Sequence, residues 1–249
     1  MAVKTMTKLP RAMLIDMDDT ILSAYGRPEI AWNNVAAEFA GEFAPLSPQQ
    51  VAAAIVDSGR KFWAKAQAEW RLKLAEARHE VVRGGFAALA AAGHSTLSMD
   101  LAIRLADRFT TYREEEMFVF PGAHDAIDAL KARGVKLALV TNGAADAQRA
   151  KVERFELTHR FDHIQIEGEH GFGKPEERAY HHAMQALGVT APETWMIGDN
   201  LEWEIEVPQR LGIYAIWMDA HGEGLPADTS IKPDRIIRSL TELLPDEAA

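Results

Sequence analysis

The sequence has 249 residues, 47% of them hydrophobic and 26% charged, a formal charge of −10, an isoelectric point near 5.4 and no cysteine. A chain of that length and apolar content can bury a sizeable core. Its negative charge argues against a nucleic-acid or anionic-membrane partner, and the lack of cysteine excludes disulfides, thiolate catalysis and thiolate zinc sites while permitting a reducing compartment.

Along the chain, the amino-terminal stretch MAVKTMTKLPRAMLID carries scattered basic residues and an apolar run too short for a signal sequence. No stretch approaches the roughly 20 apolar residues of a membrane span, so a soluble, cytoplasmic protein is expected. The short apolar run Ala12–Ile15 reads as a first strand. From about Tyr25 to Glu116 nothing reads as a strand. Ser47-Pro48-Gln49-Gln50 combines an N-cap, a proline at the first helical position and a capping-box glutamine, and opens a helix with Val51, Ile55 and Phe62 on one stripe. A last helix of this region begins near Ser98 with Leu101, Leu105 and Phe109 inward.

Beyond it, apolar runs at Val135–Val140, His163–Ile166, Thr194–Ile197 and Tyr214–Trp217 alternate with segments of helical period. DAIDALKARG puts Ile127 and Leu130 on one face with Gly134 as a stop. PEERAYHHAMQALG does the same with Ala179, Ala183, Leu187 and Gly188. Such alternation predicts a parallel sheet covered on both faces, with ligands at the carboxyl ends of its strands. The expected division is a core of residues 1–24 and 117–249 and an inserted all-helical domain of residues 25–116.

The first of those strand ends is charged. LIDMDDTIL places Asp16, Asp18 and Asp19 within four positions after the strand, and Asp16 and Asp18 share a side if the extended chain persists past Ile15. Close carboxylates suggest either a cation or an acid beside a nucleophile; a polar turn is the plain alternative. Three later segments sit at equivalent places: LALVTNG ends in Thr141-Asn142-Gly143, GFGKPEE holds Lys174 in a glycine-flanked loop, and MIGDNLEWEIE ends a strand in Gly198-Asp199. Taken singly these read as a helix cap, a solvated lysine and a turn residue.

Together and in this order, Asp16-x-Asp18-x-Thr20, Thr141, Lys174 and Gly198-Asp199 resemble the four motifs of the haloacid dehalogenase (HAD) superfamily of phosphohydrolases. The likeness runs over nearly the whole chain, since PGAHDAIDALKARG and the spacing from Lys174 to Asp199 also match. The helical insertion resembles the branch that includes phosphoglycolate phosphatase. The resemblance implies an α/β, Rossmann-like doubly wound parallel sheet of strand order 3-2-1-4-5, numbering the motif strands by sequence, with an inserted helical cap domain. It further implies a magnesium-dependent phosphatase that hydrolyses a small phosphorylated metabolite through an aspartyl-phosphate. Asp16 is then the nucleophile, Asp18 the acid and later the base, and Lys174 a balancing charge. Thr141, Asn142 and Lys174 would bind the phosphoryl group. Magnesium would be held by Asp16, the backbone carbonyl of Asp18, Asp199, and Glu204 through water. Nothing in the sequence sets the oligomeric state.

Several positions depart from the family pattern. The fourth motif usually continues with Asn-Asp where Trp203 and Glu204 stand, and later with a small residue where Pro208 stands. Glu204 is the expected replacement for the aspartate, and Pro208 should end or kink the helix that starts after Asp199. Many relatives carry glycine in place of Asp19, which receives no catalytic role. The segment SGRKFWAKAQAEWRLKLAEAR interleaves Arg60, Lys61, Lys65, Arg71, Lys73 and Arg78 with Trp63 and Trp70; solvated lysines and arginines and packed tryptophans are the plainer reading of it. His181-His182 is only superficially a metal pair, because adjacent helix positions diverge. Competing functions are a phosphomutase, which keeps all four motifs; a 2-haloacid dehalogenase, which lacks the second aspartate; and a receiver-like or otherwise non-catalytic phosphate-binding module, which needs about half this length.

Overall fold

The computed structural model describes residues 8–65, 68–94 and 96–245. Residues 1–7, part of the stretch weighed above against a signal sequence, lie outside it, as do Ala66 and Gln67 of the basic, aromatic segment. In chain order the elements are β1 (Ala12–Ile15), β2 (Leu22–Ser23), α1 (Pro28–Glu38), α2 (Pro48–Trp63), α3 (Leu74–Ala91), α4 (Met99–Glu116), β3 (Phe118–Val119), α5 (Ala123–Ala132), β4 (Lys136–Thr141), α6 (Ala145–Arg154), β5 (His163–Ile166), α7 (Glu167–His170), α8 (Glu177–Leu187), β6 (Thr194–Gly198), α9 (Val207–Arg210), β7 (Tyr214–Met218) and β8 (Arg235–Ile237). They divide into two compact units, Met1–Ser23 with Phe118–Ala249, and Ala24–Met117.

The first unit is built on a six-stranded sheet of order β5-β4-β1-β6-β7-β8, every neighbouring pair parallel. Its first five strands in sequence stand in the anticipated order 3-2-1-4-5. The sixth, β8, was not anticipated: three residues flanked by Asp234 and Arg238, with Ile236 45% exposed, carry no apolar run to read. β2 and β3 pair antiparallel as a two-residue ribbon, also below the length that periodicity detects. All four residues of β1 are fully buried, which requires cover on both faces. Ala12 and Leu14 join Ala138, Val140 and Met196 in one cluster with Tyr180, Ala183 and Leu187 of α8. By strand alternation Met13 and Ile15 turn to the other face. Ile127 and Leu130 of α5 are buried as their spacing predicts, each such side chain contributing about 1.5–3 kcal/mol. Gly188 closes α8 at φ 65°, a left-handed conformation that costs glycine no Cβ clash.

Among its described residues the second unit carries the four α-helices α1 to α4 and two short 3-10 helices. Ser47 and Gln50 form the reciprocal capping box at the start of α2 (3.2 and 2.9 Å), and Ser98 caps α4 through Leu101 N–H at 3.2 Å. Val51, Ile55, Val82, Phe86 and Leu105 form its core, and Trp32 stacks on Phe109 with centroids 3.7 Å apart. Phe62, expected on the buried stripe, is partly buried and packs against that core. Arg60 and Lys61 pair with Glu29 (2.7 Å) and Asp57 (2.6 Å) on the solvated surface. Arg60, Trp63 and Arg78 also border a cavity of about 480 Å³ floored by Trp32 and Phe109. No helix of the described residues is long and apolar enough to cross a membrane.

Candidate active site

Asp16 follows the last residue of β1, and its N–H donates to the Ile197 carbonyl at 2.9 Å, extending the ladder by one residue. Ile15 lies opposite Leu139 of β4 and Ile197 of β6. The central strand therefore delivers Asp16 between the carboxyl ends of the strands that carry Thr141 and, one residue past β6, Asp199. The extended chain then stops. Met17 accepts from the N–H groups of Ile21 (2.9 Å) and Leu22 (3.0 Å), so Asp18 is set by a turn rather than by strand alternation. Asp18 is nonetheless close enough for its charge to disfavour ionisation of Asp16. Asp19 stands at φ 59°, in the left-handed region that glycine, asparagine and aspartate tolerate best. That conformation accounts for glycine as the common residue there.

Lys174 comes from the loop between α7 and α8. Asn142 clamps that loop, donating through Nδ2 to the Lys174 carbonyl (2.6 Å) and accepting through Oδ1 from the Lys174 N–H (2.9 Å). The side chain of Asn142, expected among the phosphate ligands, is thus engaged in positioning Lys174. The Lys174 ammonium is fully buried, 2.5 Å from Asp16 Oδ1 and 2.7 Å from Glu204 Oε1. Glu204 Oε2 accepts from the Asn200 N–H at 2.8 Å.

Glu204 owes its position to two local features. Residues Leu201–Glu206 form a π-helical turn, capped by Asn200 Oδ1 on the N–H groups of Glu202 and Trp203, before the chain tightens into α9. Pro208, which offers no N–H to the preceding turn and crowds it, lies just past that widened stretch, so the expected kink is a π-to-α switch. The second feature is Gly198: a Cβ there would lie 2.0 Å from Glu204 Cγ. Trp203, at the familial asparagine position, contributes its carbonyl to the Tyr180 hydroxyl.

Burial and neighbouring carboxylates both oppose ionisation of the acidic groups at this site. Burial, then the charges of Glu204, Asp16 and Asp19, raises Asp199 well above the usual carboxylate range. Burial likewise pushes Glu204 up to about 7, against the opposing pull of Lys174. Burial works against the Lys174 charge, but Asp16 and Glu204 outweigh it and hold the ammonium above its ordinary value.

Asp18 has separate partners. Lys151 Nζ lies 2.8 Å from both of its carboxylate oxygens, and Gln148 Nε2 donates to Oδ2 (3.0 Å) and to Thr141 Oγ1 (2.6 Å). Sequence reasoning missed Gln148 and Lys151. Their i, i+3 spacing puts them on one face of α6, directly after the Thr141 strand, but a glutamine and a lysine on a helix ordinarily face solvent. Glu167 was missed as well; its Oε2 accepts from the Gly143 N–H at 3.1 Å.

The family model for haloacid dehalogenase-like hydrolases matches residues 10–212. A phosphoserine phosphatase of Thermus thermophilus is 36% identical over 59% of this chain and 58% of its own length. The N-acylneuraminate-9-phosphatase of Rattus norvegicus is 34% identical over 44% of each chain. The chain thus spans about half the length of the curated relatives it matches. Among solved structures, the HAD-hydrolase-type protein YfnB of Bacillus subtilis, crystallised with magnesium, superposes with a TM-score of 0.67 at 26% identity, covering 95% of this chain and 97% of that one. With the family match spanning the whole constellation from Asp16 to Glu204, this chain belongs to the haloacid dehalogenase-like hydrolases.

Proposed function

We propose that the protein is a magnesium-dependent phosphatase acting on a small phosphomonoester through an aspartyl-phosphate. The observation that carries this reading is the buried Asp16 at the end of the central strand, held by Lys174 at 2.5 Å through one carboxylate oxygen, with the carboxylate of Asp18 two residues on. The relatives named as phosphatases support it.

The residues present fit magnesium. Asp16, Asp199 and Glu204 are buried hard oxygen donors beside the ammonium of Lys174; burial first, and the neighbouring carboxylates after it, raise their proton affinities, a cost that a divalent cation would relieve. Asp16, Asp199 and the Asp18 backbone carbonyl would hold the ion, with Glu204 reaching it through water. When bound, it would neutralise charge on the phosphoryl oxygens and oppose the repulsion between phosphate and nucleophile.

In the reaction, Asp16 attacks phosphorus and the P–O bond to the alcohol breaks, giving a phosphoryl-aspartate. Asp18 donates its proton to the leaving oxygen, then takes one from the water that attacks the phosphoryl-aspartate and releases inorganic phosphate. Thr141, oriented by Gln148, and Lys174, oriented by Asn142, stabilise the phosphoryl oxygens. The second carboxylate separates this reading from dehalogenation, because halide needs no proton to leave. The protein is expected to work in the cytoplasm, on a small metabolite, with no nucleic acid or membrane partner.

The test is phosphate release from a panel of phosphate esters, with magnesium and with EDTA, for wild type and Asp16→Asn. Turnover that needs magnesium and is lost in the variant is expected. Full activity without metal would favour the dehalogenase reading, and no turnover of any ester would favour a binding module. Conversion of a hexose phosphate to its isomer would favour a mutase.

A further inference from the structure

A second cluster of potential ligands lies outside the carboxylate site. His163 begins β5, the edge strand of the sheet; His170 ends α7; His182 lies on α8. One ring nitrogen from each lies within 4.8 Å of those of the other two. The ring centroids are 4.9 Å apart for His170 and His182, 5.3 Å for His163 and His182, and 6.2 Å for His163 and His170.

The surrounding hydrogen bonds fix which nitrogens carry protons. Gln165 Nε2 donates to the Ala179 carbonyl at 3.0 Å, so its oxygen faces His182 Nδ1 at 2.8 Å and Nδ1 must be the donor. His170 Nδ1 lies 3.1 Å from the Ile166 carbonyl, which can only accept. Both rings, when neutral, therefore keep an unprotonated Nε2, the arrangement by which metal-binding histidines are oriented from behind. His163 Nε2 is buried and has no hydrogen-bond partner among the described residues, an unfavourable state for a buried polar atom that a ligand bond would relieve.

We propose that His163, His170 and His182 form a binding site for a borderline transition-metal dication, zinc in the first instance, distinct from the carboxylate site. Three imidazoles without a carboxylate or thiolate suit zinc, cobalt, nickel or copper and not magnesium. Bonds of 2.0–2.1 Å in a tetrahedral site need nitrogen separations of about 3.3 Å, so the rings would close by up to about 1.5 Å, within reach of side-chain rotation. All three residues are partly exposed, which gives an ion access. The ion would tie β5, α7 and α8 together on both sides of the loop that delivers Lys174 and so restrain that loop.

The test uses the full chain without a polyhistidine tag, stripped of metal and kept in saturating magnesium so that the carboxylate site is occupied. Zinc titrated against a chromophoric chelator should bind at one equivalent, and cobalt should give a visible spectrum of low-symmetry coordination. His170→Gln or His182→Gln should weaken zinc at least tenfold. Gln165→Leu, which removes the support behind His182 together with the bond to the Ala179 carbonyl, should weaken it about 10-fold or more. Zinc should raise the thermal midpoint of wild type and leave that of the His170→Gln/His182→Gln double variant unmoved. Should the double variant not fold, zinc protection of the three rings from diethyl pyrocarbonate, mapped by mass spectrometry in wild type, answers the question. Absence of stoichiometric binding, unchanged zinc affinity in folded variants, or no protection of the rings overturns the proposal.

Discussion

The ammonium of Lys174 lies 2.7 Å from Glu204 Oε1, with both side chains 1% exposed and 30 residues apart in sequence. Removing one partner of a buried pair leaves the other uncompensated, at about 3–5 kcal/mol. Lys174→Met should therefore lose stability on that order in metal-free protein and lose less with magnesium, which would share the neutralisation. Urea unfolding with and without magnesium measures the difference; equal losses would argue against a cation among these carboxylates.

The raised value for Glu204 sets a sign for pH dependence. A carboxyl that binds its proton more tightly when folded favours folding at low pH, and that contribution is lost as pH rises from the unfolded value near 4.5 to the folded one near 7. In metal-free protein, wild type should lose up to roughly 3 kcal/mol over this window relative to Glu204→Gln. Parallel stability curves for the two proteins would show that Glu204 does not titrate there.

For catalysis, Glu204→Gln should raise the half-saturating magnesium concentration roughly 10- to 100-fold and leave the Michaelis constant at saturating metal nearly unchanged. Glu204→Asp keeps the charge with a shorter reach and should shift it less. An unaltered magnesium titration would redirect attention to Asn200 or Glu202.

Gly198→Ala should cost about 1–3 kcal/mol, since its methyl would meet Glu204 Cγ at 2.0 Å. In a Glu204→Ala background the Cγ and Cδ contacts are gone and only the Cβ contact at 2.8 Å remains, so the same substitution should cost less. Thermal unfolding of the four proteins gives the coupling, and additive effects would mean that Gly198 serves another purpose.

Lys151 touches both oxygens of Asp18, so Lys151→Met should act through that carboxylate. Turnover of an alkyl phosphate should fall about tenfold, in the direction of the larger loss from removing a general acid. Turnover of p-nitrophenyl phosphate, whose leaving group needs little protonation, should fall less. A rise in KM alone would instead make Lys151 a substrate contact.

What could be read along the chain was whatever repeats locally or carries a recognisable order of residues. The apolar runs of β1, β4, β5, β6 and β7, the caps at Ser47 and Ser98, and the sequence Asp16, Thr141, Lys174, Asp199 all depend on near neighbours or on motif order. The three-residue β8 and the two-residue ribbon escaped because too few residues carry the pattern. Tertiary structure alone decided the partners. It engaged the Asn142 side chain with the backbone of Lys174, brought Gln148 and Lys151 of α6 to Asp18, and carried Glu204 through a π-helical turn onto the lysine. It also gathered His163, His170 and His182, of which only His182 drew notice in the sequence, and then beside the wrong neighbour. The reason is geometric: strand and helix periods fix which face a side chain takes, whereas the order of strands in the sheet fixes which distant face it meets.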